Sequence, residues 1–251
     1  MFAHNLLGGG HRRALLVAVV ALVAMTTGLT FAQLHNLDAG GGQAEPSYPV
    51  RSPSAMFDQA TLLVVGDSYA SGTGDRGVVT YPHLIADKFG WNLVLDAQPG
   101  TGFVAGSTDR PPTRVPFIDR LAHDAETPRV DYVIVDGGRD DVGEPPERVV
   151  AAANDYIGKV RSAWPRAEII VIVPAYAKPD VAANYPDLAQ GLQVAGERVG
   201  AYVIDPVVER WYFDSRDKQL LDSDGIHLNA EGQTYYAAKI IANMTQLELV
   251  S

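Results

Sequence analysis

The chain of 251 residues has no cysteine. That excludes a disulfide scaffold, thiolate metal sites, a cysteine nucleophile and a thioether-linked lipid. Basic residues are also scarce, 20 Lys+Arg against 30 Asp+Glu, for a net charge of -10. A protein that grips a phosphate backbone needs a basic surface, so no nucleic-acid partner is expected. Long apolar runs are missing too, except one. Residues 14–34 are almost wholly apolar and uncharged, with Arg12 and Arg13 just before them. A basic flank followed by about 20 apolar residues marks an export signal or an N-terminal membrane anchor. Thr30-Phe31-Ala32 offers small residues where a signal would be cleaved. Both readings stay open, and both place the rest of the chain outside the cytoplasm, in the cell envelope or secreted.

What is present is ordinary globular composition, 47% hydrophobic and 20% charged, with enough apolar content for one sizeable core. Residues 1–35 form the leader or anchor. Residues 36–55, with Gly40-Gly41-Gly42 and Pro46, Pro49 and Pro53, have linker composition. A single domain is expected over 56–251. Arg12 and Arg13 are the only charged residues before Asp38, so the remainder carries 18 basic and 30 acidic residues and is more acidic than the whole.

Within the domain, strand and helix patterns alternate. Short β-branched runs occur at Thr61–Val65, Trp91–Leu95, Tyr132–Val135, Glu168–Val173 and Ala201–Ile204. Helical patterns occupy Tyr81–Phe89, Pro146–Trp164, Leu188–Val199 and Ala230–Leu247. This alternation predicts an α/β fold, a parallel sheet with helices on both faces, whose site lies beyond the carboxyl ends of the strands.

Two of those ends carry chemistry. Gly66-Asp67-Ser68-Tyr69 follows the first strand and exposes a serine on a tight turn. Asp224-Gly225-Ile226-His227 precedes the last helix. A carboxylate three residues before a histidine can take its Nδ1–H, leaving Nε2 to accept a serine proton. Each segment alone also reads as an ordinary turn or cap. Asp67 and Asp141 are expected to be structural acceptors of backbone N–H groups. Gly100-x-Gly102-x-x-x-Gly106 mimics a dinucleotide fingerprint, but loop composition follows it, so no nucleotide is expected. No His-Glu-x-x-His or similar set occurs, so neither a metal nor another cofactor is expected. Trp91, Trp164 and Trp211 all read as core; only Trp211, with Tyr212 and Phe213, is also a candidate lining for an acyl or glycan pocket.

Taken together, the Ser68 block and the Asp224-x-x-His227 block resemble the SGNH (GDSL-type) hydrolase family. Asp96-Ala97-Gln98-Pro99-Gly100-Thr101-Gly102 follows the second strand, where that family keeps an oxyanion glycine. Gly137-Gly138-Arg139-Asp140-Asp141 follows the third, where it has Gly-x-Asn-Asp. The resemblance implies a three-layer α/β/α sandwich on a five-stranded, flavodoxin-like parallel sheet. It implies an esterase or lipase with Ser68 as nucleophile, His227 as base and then acid, and Asp224 as its orienting carboxylate. The oxyanion donors would be the N–H groups of Ser68 and Gly100, with Gly102 as the alternative. The family's Asn falls on Asp140, and an ionised carboxylate cannot donate. Three readings remain: a protonated Asp140, a shifted chain in which Arg139 or a backbone N–H donates, or a weakened site. The expected partner is a small-molecule or envelope ester, with acyl transfer or a surface binding module as the alternatives. The oligomeric state is not legible.

Overall fold

A computed structural model describes residues 59–250, apart from 75–76, 111, 179–181 and 213–216. The expected leader (1–35), the linker (36–55) and the expected start of the domain at 56 lie outside the described residues. Among the described residues no helix is long and apolar enough to cross a membrane.

Five strands form one sheet: β1 (Thr61–Gly66), β2 (Asn92–Ala97), β3 (Tyr132–Asp136), β4 (Glu168–Ile172) and β5 (Tyr202–Ile204). All pairings are parallel, in the order β2-β1-β3-β4-β5. This is the flavodoxin-like order, with its switch point between β1 and β3. The helices are α1 (Ser68–Ser71), α2 (Tyr81–Phe89), α3 (Phe117–Asp124), α4 (Pro146–Ala163), α5 (Tyr185–Val199), α6 (Asp217–Leu220) and α7 (Ala230–Gln246).

The period-2 pattern of the strands separates two cores. Leu62, Val64, Ile134, Ile170, Ile172 and Ile204 face α2 and α7, where Tyr81, Ile85, Tyr236 and Ile240 receive them. Leu63, Val65, Val133, Val135, Ile169 and Val171 face α3, α4 and α5, against Phe117, Tyr156, Ile157 and Leu192. Buried on both faces, β1, β3 and β4 read as continuous apolar runs, whereas the edge strands β2 and β5 are largely half-buried.

Three elements differ from the sequence reading. α3 has no counterpart in the sequence reading, yet Phe117 and Leu121 recur at i, i+4 behind Pro116, with Asp119 in the first turn and His123 in the last. Those end charges suit the helix dipole. α5 begins at Tyr185 rather than Leu188, because Pro186 lies in its first turn, where a missing N–H costs little. The third is the four-residue α1, too short to leave an apolar period.

Candidate active site

The site is assembled at the carboxyl ends of β1, β2 and β3, with α7 supplying the floor. β1 ends at Gly66, and a Cβ there would sit 2.6 Å from Cβ of Ala70. Only glycine allows α1 to fold back this closely on its own strand. Asp67 caps α1, accepting from the Tyr69 N–H at 2.9 Å. Ser68 is therefore the first helical residue, whose N–H has no intrahelical partner. It is 9% exposed, and its Oγ makes no hydrogen bond to the described residues.

Asp224 and His227 form the pair that their spacing predicts. His227 Nδ1 lies 2.6 Å from Asp224 Oδ2. Asp224 Oδ1 accepts from the N–H groups of Ile226 (2.8 Å) and His227 (3.0 Å), so the turn itself fixes the carboxylate. These bonds, the His227 N–H first and its ring second, pull the Asp224 pKa down to about 2. The carboxylate stays ionised wherever the imidazole could act as a base.

The Ser68 and His227 segments are joined twice. Tyr69 Oη donates to the carbonyl of Ile226 at 3.0 Å. A Cβ on Gly74, in the loop after α1, would lie 3.0 Å from Cβ of His227. No hydrogen bond joins Ser68 Oγ to His227. Such bonds commonly tighten only once substrate is bound.

The β2 loop presents Gly100 at φ +72°, the left-handed region that glycine adopts freely. Its N–H makes no bond to the described residues. The Gly102 N–H donates to the Ala105 carbonyl at 3.1 Å, so Gly102 is removed as the alternative oxyanion donor. Asp141 explains the shape of this loop. It is fully buried, and its carboxylate accepts from the N–H groups of Phe103 (2.9 Å), Val104 (3.0 Å) and Ala105 (2.6 Å). It stitches the β3 loop to the β2 loop, the structural role read from the sequence.

Asp140, one residue earlier, is exposed and makes no hydrogen bond to the described residues. Partial desolvation in the cleft raises its carboxyl above the usual range. The positive charge of Arg139 opposes this, Asp141 adds to it, and His227 and Arg114 oppose it. Asp140 thus belongs electrostatically to the same cleft as His227. Arg114 was not singled out from sequence, because nothing in Pro-Thr-Arg-Val marks a site. Its guanidinium packs over the Cα of Gly100, which puts a cation near the glycine and near Asp140.

Arg139 does not serve as a displaced oxyanion donor. It is 4% exposed and points under the turn that bears Ser68. Nη1 donates to Asp67 Oδ2 (2.7 Å), Nη2 to Asp136 Oδ1 (2.5 Å) and to Tyr236 Oη (2.9 Å), and Nε to the Ala175 carbonyl (3.1 Å). Its plane stacks 4.2 Å from the Tyr69 ring. Gln233, fully buried, ties the same floor together: Nε2 donates to the Tyr69 carbonyl, and Oε1 accepts from the Tyr81 N–H. Neither residue carried a sequence signal, since a buried polar hub looks like any loop or helix polar residue until the chain folds.

Beside this cleft a narrow slot opens at the ends of β3, β4 and β5, lined among others by Gly138, Pro174, Asn184, Val207 and Tyr212. The core reading of Trp211 holds, and the alternative that it lines a pocket does not. It is 1% exposed, packed edge-on against Tyr236, with its indole N–H on Glu209. Tyr212 reaches the slot instead, and Phe213 lies outside the described residues. Trp164 is buried and Trp91 is half-buried, stacked between Phe89 and Tyr132. Among the described residues no group of three or more His, Asp or Glu could hold a metal ion.

Known proteins agree with this architecture. The chain is 28% identical over 201 residues to a GDSL lipase of Mycobacterium tuberculosis, covering 75% of this chain and 83% of that one. A carbohydrate acetylesterase from Sinorhizobium meliloti superposes with a TM-score of 0.58 at 14% identity, over 75% of this chain and all of the other. A psychrotrophic esterase from Pseudoalteromonas sp. gives 0.60 at 16%, over 76% of this chain and all of the other. The profile of the GDSL-like lipase/acylhydrolase family matches residues 64–235, from the middle of β1 into α7. With that match spanning more than half of its length, on the sheet order and strand-end segments described above, the chain belongs to the GDSL-like lipase/acylhydrolase (SGNH) family and is an ester hydrolase.

Proposed function

We propose that the protein is an exported serine esterase that cleaves carboxylic esters, of lipids or of acylated carbohydrates, through an acyl-enzyme on Ser68. The observation that carries this reading is the Asp224–His227 pair, held by three hydrogen bonds and tethered through Tyr69 to the turn that bears Ser68. Asp224 keeps the proton on Nδ1, so Nε2 is the free base. His227 takes the Ser68 proton as Oγ bonds to the ester carbonyl carbon. The carbonyl π electrons move to oxygen, which meets the N–H groups of Ser68 and Gly100. Collapse expels the alcohol, which receives that proton from His227. Water then repeats the sequence on the acyl-enzyme, releasing the acid and free Ser68. The slot beside the cleft is the candidate acyl pocket.

Export is supported by the apolar run at 14–34 behind Arg12 and Arg13. The same run is the proposed membrane contact, whether cleaved or retained. Residues 36–55 would then act as a spacer for one hydrolase domain over 56–251.

Asp140 favours a second reading, a weakened site that binds esters or passes the acyl group to an acceptor other than water. Labelling of the full-length protein with a fluorophosphonate separates these. Stoichiometric modification at Ser68, absent in Ser68→Ala, is expected. Equal labelling of wild type and Ser68→Ala sinks the serine mechanism.

A further inference from the structure

Asp67, Arg139 and Asp136 form a buried ionic cluster directly beneath the nucleophile turn. Arg139 is the hub: it touches the cap of α1 (Asp67), the end of β3 (Asp136), the segment after β4 (the Ala175 carbonyl) and α7 (Tyr236). Three of the five strand ends and two helices therefore meet at one guanidinium. A planar fork with five donors can do this; an ammonium cannot.

The two carboxylates are not equivalent. Asp136 receives Tyr81 Oη at 2.9 Å, Tyr236 Oη at 3.2 Å and Arg139 Nη2. Among the described residues Asp67 receives only the Tyr69 N–H and Arg139 Nη1. Two carboxylates facing one cation leave the cluster one negative charge in excess when both are ionised. Asp67, with fewer donors, is the carboxylate whose charge is held less firmly.

We propose that Arg139 is a positioning residue of the esterase: through the Asp67 carboxylate it fixes the turn that presents Ser68, and protonation of Asp67 loosens that hold. This rests on Ser68 being the nucleophile. The groups facing Asp67 are Arg139, Asp136, Asp140 and Tyr69, with Tyr81 and Tyr236 behind Asp136. Burial drives its carboxyl up to about 7, with the Arg139 charge resisting, Asp136 reinforcing the rise, the Tyr69 N–H resisting and Asp140 reinforcing. The sign is fixed by the geometry. As pH falls, Asp67 gains a proton, its oxygen loses charge toward Arg139 Nη1, and the cap of α1 weakens. His227 must also be unprotonated to act as the base. Two protons, not one, therefore switch off the serine on the acid side.

The test is the rate of fluorophosphonate labelling of Ser68 in the full-length protein between about pH 5 and 9, with thermal unfolding recorded in parallel. Wild type is expected to show an acid limb whose slope in log rate against pH rises above about 1 toward about 2 where Asp67 and His227 both gain protons, and returns to about 1 once Asp67 is fully protonated. Asp67→Asn keeps an acceptor for the Tyr69 N–H but turns an amide toward Arg139. Its labelling should fall roughly 10- to 100-fold at pH 8, and its acid slope should drop to about 1. Arg139→Lys keeps the charge and loses the fork; its labelling should fall at least about tenfold. A wild-type slope that nowhere exceeds about 1, or a folded Asp67→Asn with wild-type rate and slope, overturns the proposal, and the wild-type slope decides even where a variant does not fold. No labelling of wild type at any pH refutes the serine reading itself, and the proposal with it. The two failures are thus distinct.

Discussion

Asp140→Asn should make the enzyme faster. In the wild type an exposed carboxylate without a hydrogen bond stands at the family's amide position, in a cleft shared with His227 and Arg114. When an ester carbonyl becomes an oxyanion, an ionised Asp140 repels it. At a separation of about 5 Å and an effective dielectric constant of about 20–80, the repulsion is about 1–3 kcal/mol. Arg114 and His227 offset part of it, and solvent screens the rest, so the lower half of that range applies. An amide removes the repulsion and adds one donor, worth roughly 1 kcal/mol at an exposed position. The sum, about 2–3 kcal/mol, is roughly a 30- to 150-fold rise in kcat. KM should change little, because the interaction exists only in the transition state. The assay is hydrolysis of p-nitrophenyl acetate, normalised to Ser68 labelled by fluorophosphonate, from pH 5 to 9. A protonated Asp140 can itself donate. The advantage of the variant should therefore shrink toward acid and be greatest where wild-type Asp140 is ionised. A variant slower than wild type at pH 8, or a ratio that ignores pH, would refute the reasoning and give the carboxylate a positive role.

Two further outcomes test the frame around the site. Asp141→Ala removes the acceptor of three buried N–H groups. Stability should fall by about 2–4 kcal/mol, read by urea unfolding, with labelling of Ser68 reduced as the Gly100 loop loosens. Asp124 on α3 is buried, and desolvation, then the charge and hydrogen bond of Asp96, raise its carboxyl to about 7. The native state thus holds a proton there that the unfolded chain releases near pH 4. Stability should fall as pH rises from about 4 to 7, and Asp124→Asn should flatten that fall by on the order of 1–3 kcal/mol. A pH profile identical to wild type in this variant would show that Asp124 does not carry the proton.

The sheet was readable because its central strands, β1, β3 and β4, are buried on both faces and leave apolar runs between turn residues. β1, β3 and β4 needed no information from outside their own five or six residues. The Asp224–His227 pair was readable for a similar reason: its contacts are three residues apart. α3 was missed because its amphipathic face spans barely two turns and follows a proline-rich loop. Arg139, Arg114 and Gln233 were invisible for another reason. Arg139 meets Asp67 across 72 residues and Tyr236 across 97, and no local pattern records such a meeting. Gly102 and Trp211 were plausible by type alone. What decided against them was the direction of one N–H and the burial of one ring.

The three N–H bonds that Asp141 accepts have a consequence for how this enzyme can change. They fix the loop on which Asp140 rides, while Asp140 itself contributes no bond to the fold. Position 140 is thus free to vary with hardly any penalty in stability, although in the proposed mechanism it faces the place where charge develops. Position 141 has no such freedom. The strength of the catalyst and the integrity of its frame are set by adjacent residues that selection can alter separately, so a line of descent can turn the esterase down, or restore it, one side chain at a time.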